Sequence, residues 1–260
     1  EEIMFASMLP ELAARGAGGV VECDHRLAPL FARSLPGWRF VPMITPPAAE
    51  TAGPFDAALP LASLAQHLRP AIARFPRHAG YLRADRARSA ALRRRYRGED
   101  GPRLVGISWM SGARLDAAPK STDLRDWGPV LSLPGIRFVS LQFGGGDAQL
   151  AAARREFGAD ILADPEIDQL RDTDGLAAQI AAMDHVVTVS NTVAHLAGAL
   201  ARPGTVMLPT ARGLRWHWLT DRPDSPWYPS LTLLRQSEAG RWDDVIAACA
   251  VRLAEGRAHP

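Results

Sequence analysis

From Arg103 to the C-terminus, short apolar runs rich in Val, Ile and Leu alternate with longer apolar-periodic segments, and this alternation restricts the fold more than any other feature of the chain. Strands are expected at Arg103–Ser108, Ile136–Gln142, His185–Ser190, Gly204–Leu208 and Leu231–Leu234, with a short segment near Ile161. Helices are expected at Leu124–Leu131, Ala148–Phe157, Gly175–Met183, Thr192–Ala201 and Trp242–Glu255. Strands separated by helices cannot pair as hairpins, so the sheet they build is parallel. The first part of the chain follows the same order: a helix at Ile3–Ala14, a strand at Val20–Cys23, a helix at Arg26–Arg33, a strand at Trp38–Val41 and a further run at Phe55–Leu61. The reading is an α/β protein of two facing Rossmann-like domains, residues 1–98 and 99–260, with the charged, Gly/Pro-containing stretch Arg93–Pro102 as linker. Because the first unit opens on a helix, its first strand is expected to lie before Glu1.

A length of 260 residues suits one large or two ordinary domains, and 47% hydrophobic residues suffice for a packed core. The longest apolar stretches fall short of the roughly 20 residues that cross a bilayer, and the start Glu-Glu-Ile-Met-Phe lacks the basic opening of a signal peptide. The expectation is a soluble, cytoplasmic protein without a transmembrane segment. Cys23 and Cys249 belong to no C-x-x-C pair and read as buried small hydrophobes. The net charge is +2, and the densest basic run, Arg93–Arg97, is followed at once by Glu99 and Asp100. No basic stripe with interleaved aromatics is present, so nucleic acid is not an expected partner. Of the 30 basic residues only Lys120 is lysine. A lysine kept in so arginine-biased a chain either survives by chance or does something that needs a compact ammonium rather than a planar guanidinium.

Ligands of open α/β sheets bind beyond the carboxyl ends of the strands, which directs attention to four segments. In G-I-S-W-M-S-G (Gly106–Gly112), Ser108 and Ser111 can donate to a phosphate, and the loop leads on to Lys120. In Q-F-G-G-G-D (Gln142–Asp147), three glycines allow close backbone approach, while Gln142 and Phe143 can pair with and stack on a nucleobase; a flexible turn explains the segment equally well. In V-T-V-S-N-T-V-A-H-L-A-G-A-L (Val187–Leu200), a strand breaks at Ser190, Asn191 and Thr192, all good N-cap residues. It enters a small-residue helix whose first N–H groups suit a pyrophosphate, with His195 in its first turn. In Trp216–Ser230, aromatics crowd one long loop and either line a pocket or pin the loop to the domain. Asp172-Thr173-Asp174 has the D-x-D form of a metal-bound nucleotide site, but it precedes an apolar-periodic helix and reads as a cap; Gly16–Gly19 likewise reads as a helix end. No His/Cys cluster suggests zinc.

Taken together, G-I-S-W-M-S-G, the Lys120 loop with D-L-R-D-W-G-P-V-L, F-V-S-L-Q-F-G, S-N-T-V-A-H-L-A-G-A-L and S-P-W-Y-P-S resemble the glycosyltransferase-like domain of bacterial tetratricopeptide-repeat proteins. That domain is similar to the heptosyltransferase group, glycosyltransferase family 9. The resemblance takes in nearly the whole chain, including Glu1–Leu12 and Val20–Gly37. It implies a GT-B fold, a nucleotide-sugar donor held mainly by the second domain, no metal and no other cofactor. It places Ser108, Ser111 and Lys120 on the phosphate side, and Gln142 and Phe143 near the base. Ser190, Asn191, Thr192 and His195 fall on the diphosphate-binding turn and helix, where heptosyltransferases carry D-T-G-x-x-H-L. Ser190 thus stands in the place of an aspartate, and Met110 where such domains often carry arginine. Glu1 or Glu2 falls where the family's acidic base deprotonates the acceptor hydroxyl. The implied activity is metal-independent, inverting transfer of a sugar to an acceptor that the resemblance does not name, with a protein or a glycan the candidates. Two alternatives are a catalytically degenerate nucleotide-sugar-binding or protein-interaction module, and a GT-B-type nucleotide-sugar epimerase.

Overall fold

The structure is a computed structural model that describes residues 1–47, 51, 53–98, 101–112, 117–144 and 146–256. Strands are β1 (Gly19–Cys23), β2 (Trp38–Pro42), β3 (Arg103–Ser108), β4 (Ile136–Ser140), β5 (Ile161–Leu162), β6 (His185–Val189), β7 (Gly204–Leu208) and β8 (Leu231–Arg235). Helices are α1 (Glu2–Phe5), α2 (Leu9–Ala13), α3 (Ala28–Ser34), α4 (Leu64–Leu68), α5 (Arg86–Arg97), α6 (Ala117–Lys120), α7 (Gly128–Leu131), α8 (Asp147–Phe157), α9 (Thr173–Ala182), α10 (Thr192–Ala199) and α11 (Asp243–Ala254). β1 and β2 form a two-stranded parallel sheet, and the other strands form a six-stranded parallel sheet in the order β5-β4-β3-β6-β7-β8. The chain builds outward from β3 in one direction and then returns to add β6 to its other side. The topological switch point therefore lies between the carboxyl ends of β3 and β6, where such sheets open a crevice.

The apolar runs become strands because both faces of this sheet are covered. β7 is buried along its whole length, and β3 and β6 are buried beyond their first residues. One core packs Ile107, Trp109, Trp127, Phe138 and Val187 beneath α7, α8 and α11. The other runs continuously from Met4, Met8, Leu30 and Phe31 in the first half to Leu176, Ile180, Ala194 and Ala197 of α9 and α10. Burial at roughly 25 cal/mol per Å2 makes this shared layer the main force holding the halves together.

Several expectations are refined. The helix foreseen at Ile3–Ala14 is divided into α1, a 3-10 turn at Ala6–Met8, and α2. Gly16, with φ of 84°, closes its end as expected, while Ala17 N–H bonds back to Leu12 O at 3.0 Å. The run Phe55–Leu61 is neither helix nor strand up to Pro60, because Phe55 and Leu59 are exposed and have no sheet to join. The Leu124–Leu131 helix begins as a 3-10 turn at Leu124–Trp127.

Arg93–Arg97 is not linker. These residues complete α5, which is capped at its start by Asp85, whose side chain accepts from Arg88 N–H at 2.9 Å. Two of the arginines that made the segment read as an exposed connection, Arg93 and Arg95, are instead ion-pair partners of the second half, as is Arg88 earlier in the helix. Arg93 donates to Asp184 at 2.5 Å and to Ala182 O at 2.7 Å, Arg88 pairs with Asp172 at 2.5 Å, and Arg95 pairs with Asp164 and Glu166. Glu99 and Asp100, in the rest of the foreseen linker, lie outside the described residues. Cys23 and Cys249 are buried and free, and burial pushes each thiol up to about 12. Asp172 caps α9, accepting from Gly175 N–H at 2.7 Å, and Asp174 pairs with Arg33; both acids of the D-x-D triplet are thus bound to arginines. Among the described residues no helix is long and apolar enough to cross a membrane.

Candidate active site

A cleft of about 570 Å3 opens at the switch point, between the strand ends of the large sheet and the N-terminal helix of the first half. The residues that the resemblance places at the site line it: Glu1, Glu2, Ser108, Ser111, Lys120, Gln142, Phe143, Ser190, Asn191, Thr192 and His195. Met110, also foreseen here, lines it as well.

Asn191 ties the switch point together. Its Oδ1 accepts from the N–H groups of Val193 at 3.0 Å and Ala194 at 3.4 Å, which makes it the N-cap of α10. Its Nδ2 reaches across to β3 and donates to Ser108 Oγ at 2.8 Å and Met110 O at 3.1 Å. The expectation of freely available N–H groups at this helix start is thereby corrected. The cap takes those of Val193 and Ala194, and the exposed Thr192 is left at the rim. Ser190 is buried, and its Oγ accepts from Trp218 Nε1 at 2.8 Å.

Gln142 braces the β3 exit. Its Oε1 accepts from Ser108 Oγ at 3.1 Å, Trp109 N–H at 3.0 Å and Met110 N–H at 2.9 Å, and its Nε2 donates to Phe143 O at 2.7 Å. An amide so engaged fixes the turn, while Phe143, 43% exposed, offers an open aromatic face. Gly145 of the glycine run lies outside the described residues.

Lys120 sits not in a loop but at the end of α6, and it is 4% exposed. The stretch 113–116 before it lies outside the described residues. Gly213, with φ of 88°, packs over the lysine stem, and a Cβ there would come within 2.7 Å of Lys120 Cγ. Ser111 N–H donates to Ser121 Oγ at 3.0 Å, just after the lysine.

On the opposite wall, Glu2 accepts from Asp24 N–H at 2.8 Å. Asp24 follows β1 and holds Arg26 through bonds of 2.9 and 2.6 Å. The guanidinium lowers the Asp24 carboxyl to about 2. Arg26 Nη1 then crosses the cleft to donate to Leu170 O at 2.9 Å.

Trp218, Trp227 and Tyr228 of the aromatic loop pin it to the domain, while its His217 lines the cleft. Trp218 and Tyr228 are fully buried and Trp227 nearly so, whereas Trp216 is 59% exposed. Trp227 meets Phe75 and Phe5 edge-on, at 4.8 and 5.9 Å between centroids. Tyr228 lies against Gly198 of α10, and its hydroxyl is 2.8 Å from His195 Nδ1. Burial lowers the His195 pKa well below the usual imidazole value, helped by His217 and Lys120 nearby. Asp24, Arg26, Arg215 and His217 also line the cleft and were not foreseen. Asp24 and Arg26 follow a strand end, the same signal that marked the other residues. His217, inside a tryptophan-rich loop, carried no such mark.

A six-stranded parallel sheet with its cleft at the switch point, facing a smaller parallel sheet, is a GT-B-like α/β architecture. It is the fold of the heptosyltransferases. The ADP-heptose LPS heptosyltransferase II of E. coli matches with a TM-score of 0.64 at 16% identity, over 98% of this chain and 96% of that one. E. coli heptosyltransferase WaaC with ADP-2-deoxy-2-fluoro heptose matches with a TM-score of 0.53 at 11% identity, over 98% and 95% of the two chains. In sequence, Protein FlbA of Caulobacter vibrioides is 33% identical over a 268-residue alignment that takes in 97% of this chain and 44% of FlbA. The chain thus spans less than half the length of the curated relative it matches. No family model matches the chain.

Proposed function

We propose that the chain is a glycosyltransferase domain that transfers a sugar from a nucleotide-sugar donor to an acceptor hydroxyl with inversion and without a metal. The observation that carries this reading is the convergence on one switch-point cleft, in a heptosyltransferase fold, of acids from the first half and of Lys120, Asn191 and His195 from the second. The donor lies along residues 99–260, its diphosphate beside Lys120, Ser111 and Thr192, and its base on Phe143. Residues 1–98 present the acceptor. In the reaction the acceptor oxygen attacks the anomeric carbon from the face opposite the diphosphate. The bond to the departing phosphate oxygen breaks as the new glycosidic bond forms, and Glu1 or Glu2 takes the hydroxyl proton. Lys120 neutralises the charge that builds on the departing diphosphate, the role a metal would otherwise fill. Asp24 is a poor base, because its bonds to Arg26 keep it ionised down to about pH 2. The domain is read as the transferase part of a longer cytoplasmic polypeptide of the tetratricopeptide-repeat type, with a protein or glycan acceptor.

A panel of ADP, UDP, GDP and CMP sugars tests this by thermal shift, since a ligand at 100 times its Kd stabilises by about 2.7 kcal/mol. Lys120→Ala and His195→Ala are expected to abolish the shift or reduce it severely, together with transfer or donor hydrolysis. Lys120→Arg is expected to fail as well, because a planar guanidinium is a poor substitute for a compact ammonium at a position only 4% exposed. Full activity in both alanine variants would sink the assignment. A second reading, a nucleotide-sugar-binding module without turnover, is favoured by Ser190, whose hydroxyl is bound to Trp218 where the resemblance expects an acid. It predicts the thermal shift without transfer.

A further inference from the structure

A buried polar group that finds no partner in its own protein calls for one from outside, and His217 is such a group. It belongs to the loop after β7, the neighbour of β6 in the sheet, and so stands at the carboxyl ends of the strands. Three contacts fix the course of that loop. Gly213 packs over the Lys120 stem, Trp218 Nε1 donates to Ser190 Oγ at 2.8 Å, and Trp216 stacks on Phe5 of the first half at 6.4 Å between centroids. In the 3-10 turn Trp216–Trp218, His217 lies between the two pinned tryptophans and reaches the cleft wall.

The His217 ring is 3% exposed and lies against those of His195, Trp218 and Trp216 at 5.0, 4.9 and 5.7 Å between centroids. Neither these rings nor any other described group hydrogen-bonds to its nitrogens. An unmade bond at a buried donor or acceptor is destabilising, and here two such positions belong to a side chain that lines the cleft.

What satisfies both nitrogens follows from their chemistry. A neutral imidazole has one N–H to give and one lone pair to fill, whichever nitrogen carries the hydrogen, and an imidazolium has two N–H groups. Phosphate oxygens only accept and an ammonium only gives, so neither suits both nitrogens of a neutral ring. A hydroxyl gives and accepts, and therefore suits either nitrogen in every state. Neighbouring hydroxyls on a sugar ring meet the whole requirement. A nucleobase edge also mixes donors and acceptors, but Phe143, the face assigned to the base above, follows β4. That strand is three places from β7 in the sheet, about 14 Å at the usual strand spacing.

We propose that His217 is a specificity-determining residue of this cleft, its ring hydrogen-bonding to hydroxyls of the donor's sugar. The sugar rests on the transferase reading above; the need for a partner that both gives and accepts does not.

Calorimetric titration of the full chain with paired ligands tests this: ADP against ADP-glucose, UDP against UDP-glucose, and GDP against GDP-mannose. His217→Phe keeps a ring and removes both nitrogens. In the pair that binds, it is expected to weaken the nucleotide sugar about fivefold or more and the nucleotide alone less than about twofold. His217→Gln, whose amide gives and accepts, is expected to recover most of that loss. Unchanged affinity for both members in His217→Phe would overturn the proposal and leave the transferase reading standing. An equal loss for both members would move the contact to the ribose of the nucleotide and overturn the assignment to the transferred sugar. Absence of binding by every compound in the wild type would overturn the transferase reading, and the sugar with it. The unmet bonds are read separately without ligand. At about pH 8, where a histidine is neutral folded or unfolded, His217→Phe or the smaller His217→Leu is expected to raise the urea midpoint. A lowered midpoint in both would show that the ring nitrogens are already satisfied inside the protein and overturn the proposal.

Discussion

His217 is 3% exposed, and neither of its ring nitrogens finds a hydrogen-bond partner among the described residues. Its ring lies 5.0 Å from that of His195 and 4.9 Å from Trp218. Burial is the main reason its pKa drops from 6.5 to about 4, and the positive charges of Arg215 and Lys120 add to it. The consequence for stability has a definite sign. Above pH 6.5 the imidazole is neutral whether folded or unfolded, and its burial carries no penalty from protonation. As the pH falls from 6.5 toward 4 the unfolded chain takes up a proton that the folded chain refuses, so stability declines by about 1.4 kcal/mol per pH unit. His195, shifted the same way, adds to the slope. Urea midpoints between pH 7 and pH 4.5 should therefore fall steeply in the wild type and less steeply in His217→Phe. An identical slope in the two proteins would show that His217 is not the source.

At the scale of elements, α10 packs against its neighbours through glycines on both sides of the contact. Gly198 faces the Tyr228 ring so closely that a Cβ would overlap it. Gly80, with φ of 87°, brings the first half against the end of α10, where a Cβ would lie 2.8 Å from Ala199 O. The N–H groups of Tyr81 and Leu82 both donate to that same carbonyl, at 2.9 and 3.0 Å. Helix propensity favours alanine over glycine by about 1 kcal/mol, yet overpacking costs roughly 1–3 kcal/mol and acts here on a fully buried tyrosine. Gly198→Ala is accordingly expected to lower the unfolding free energy by about 1–2 kcal/mol and to displace the Tyr228 hydroxyl from His195. Chemical denaturation and the His195 NMR signal check the two effects separately; a stabilised protein with an unmoved signal would contradict the packing argument.

At the scale of the whole molecule, a single apolar layer runs between the halves. Polar links reinforce it: Arg33 with Asp174, Arg88 with Asp172, and Arg26 with Leu170 O across the cleft. The two ion pairs are partly exposed and worth little individually. The shared core is the larger contribution, and it leads to the expectation that both halves unfold together. Tryptophan fluorescence reports mostly on the second half, because of the seven tryptophans only Trp38 precedes residue 103. Its transition in urea should coincide with that of far-UV circular dichroism. Two separated transitions would show that the halves are held less tightly than their common core implies.

Much of this was written in local sequence. Arg103–Ser108 and Gly204–Leu208 are strands over the ranges their apolar runs mark, because a central parallel strand is buried on both faces and has to be apolar throughout. The cleft residues were legible for a related reason: ligand groups sit at strand ends, and a strand end can be read from where the apolar run stops. Other features depend on distant partners. Arg93–Arg97 reads as a solvated charge run until Asp164, Glu166 and Asp184 are brought beside it, and only then is it the end of a helix. Gln142 reads as a base-pairing amide until the β3 turn takes its oxygen, and Asn191 reads as one N-cap candidate among three until it reaches Ser108. Sequence by itself determined the order of strands and helices and the positions from which chemistry could come, because burial and capping are imprinted residue by residue. Only the tertiary structure decided which polar atoms are already spent, because a hydrogen bond is settled by both of its partners, and here one of them lies far along the chain.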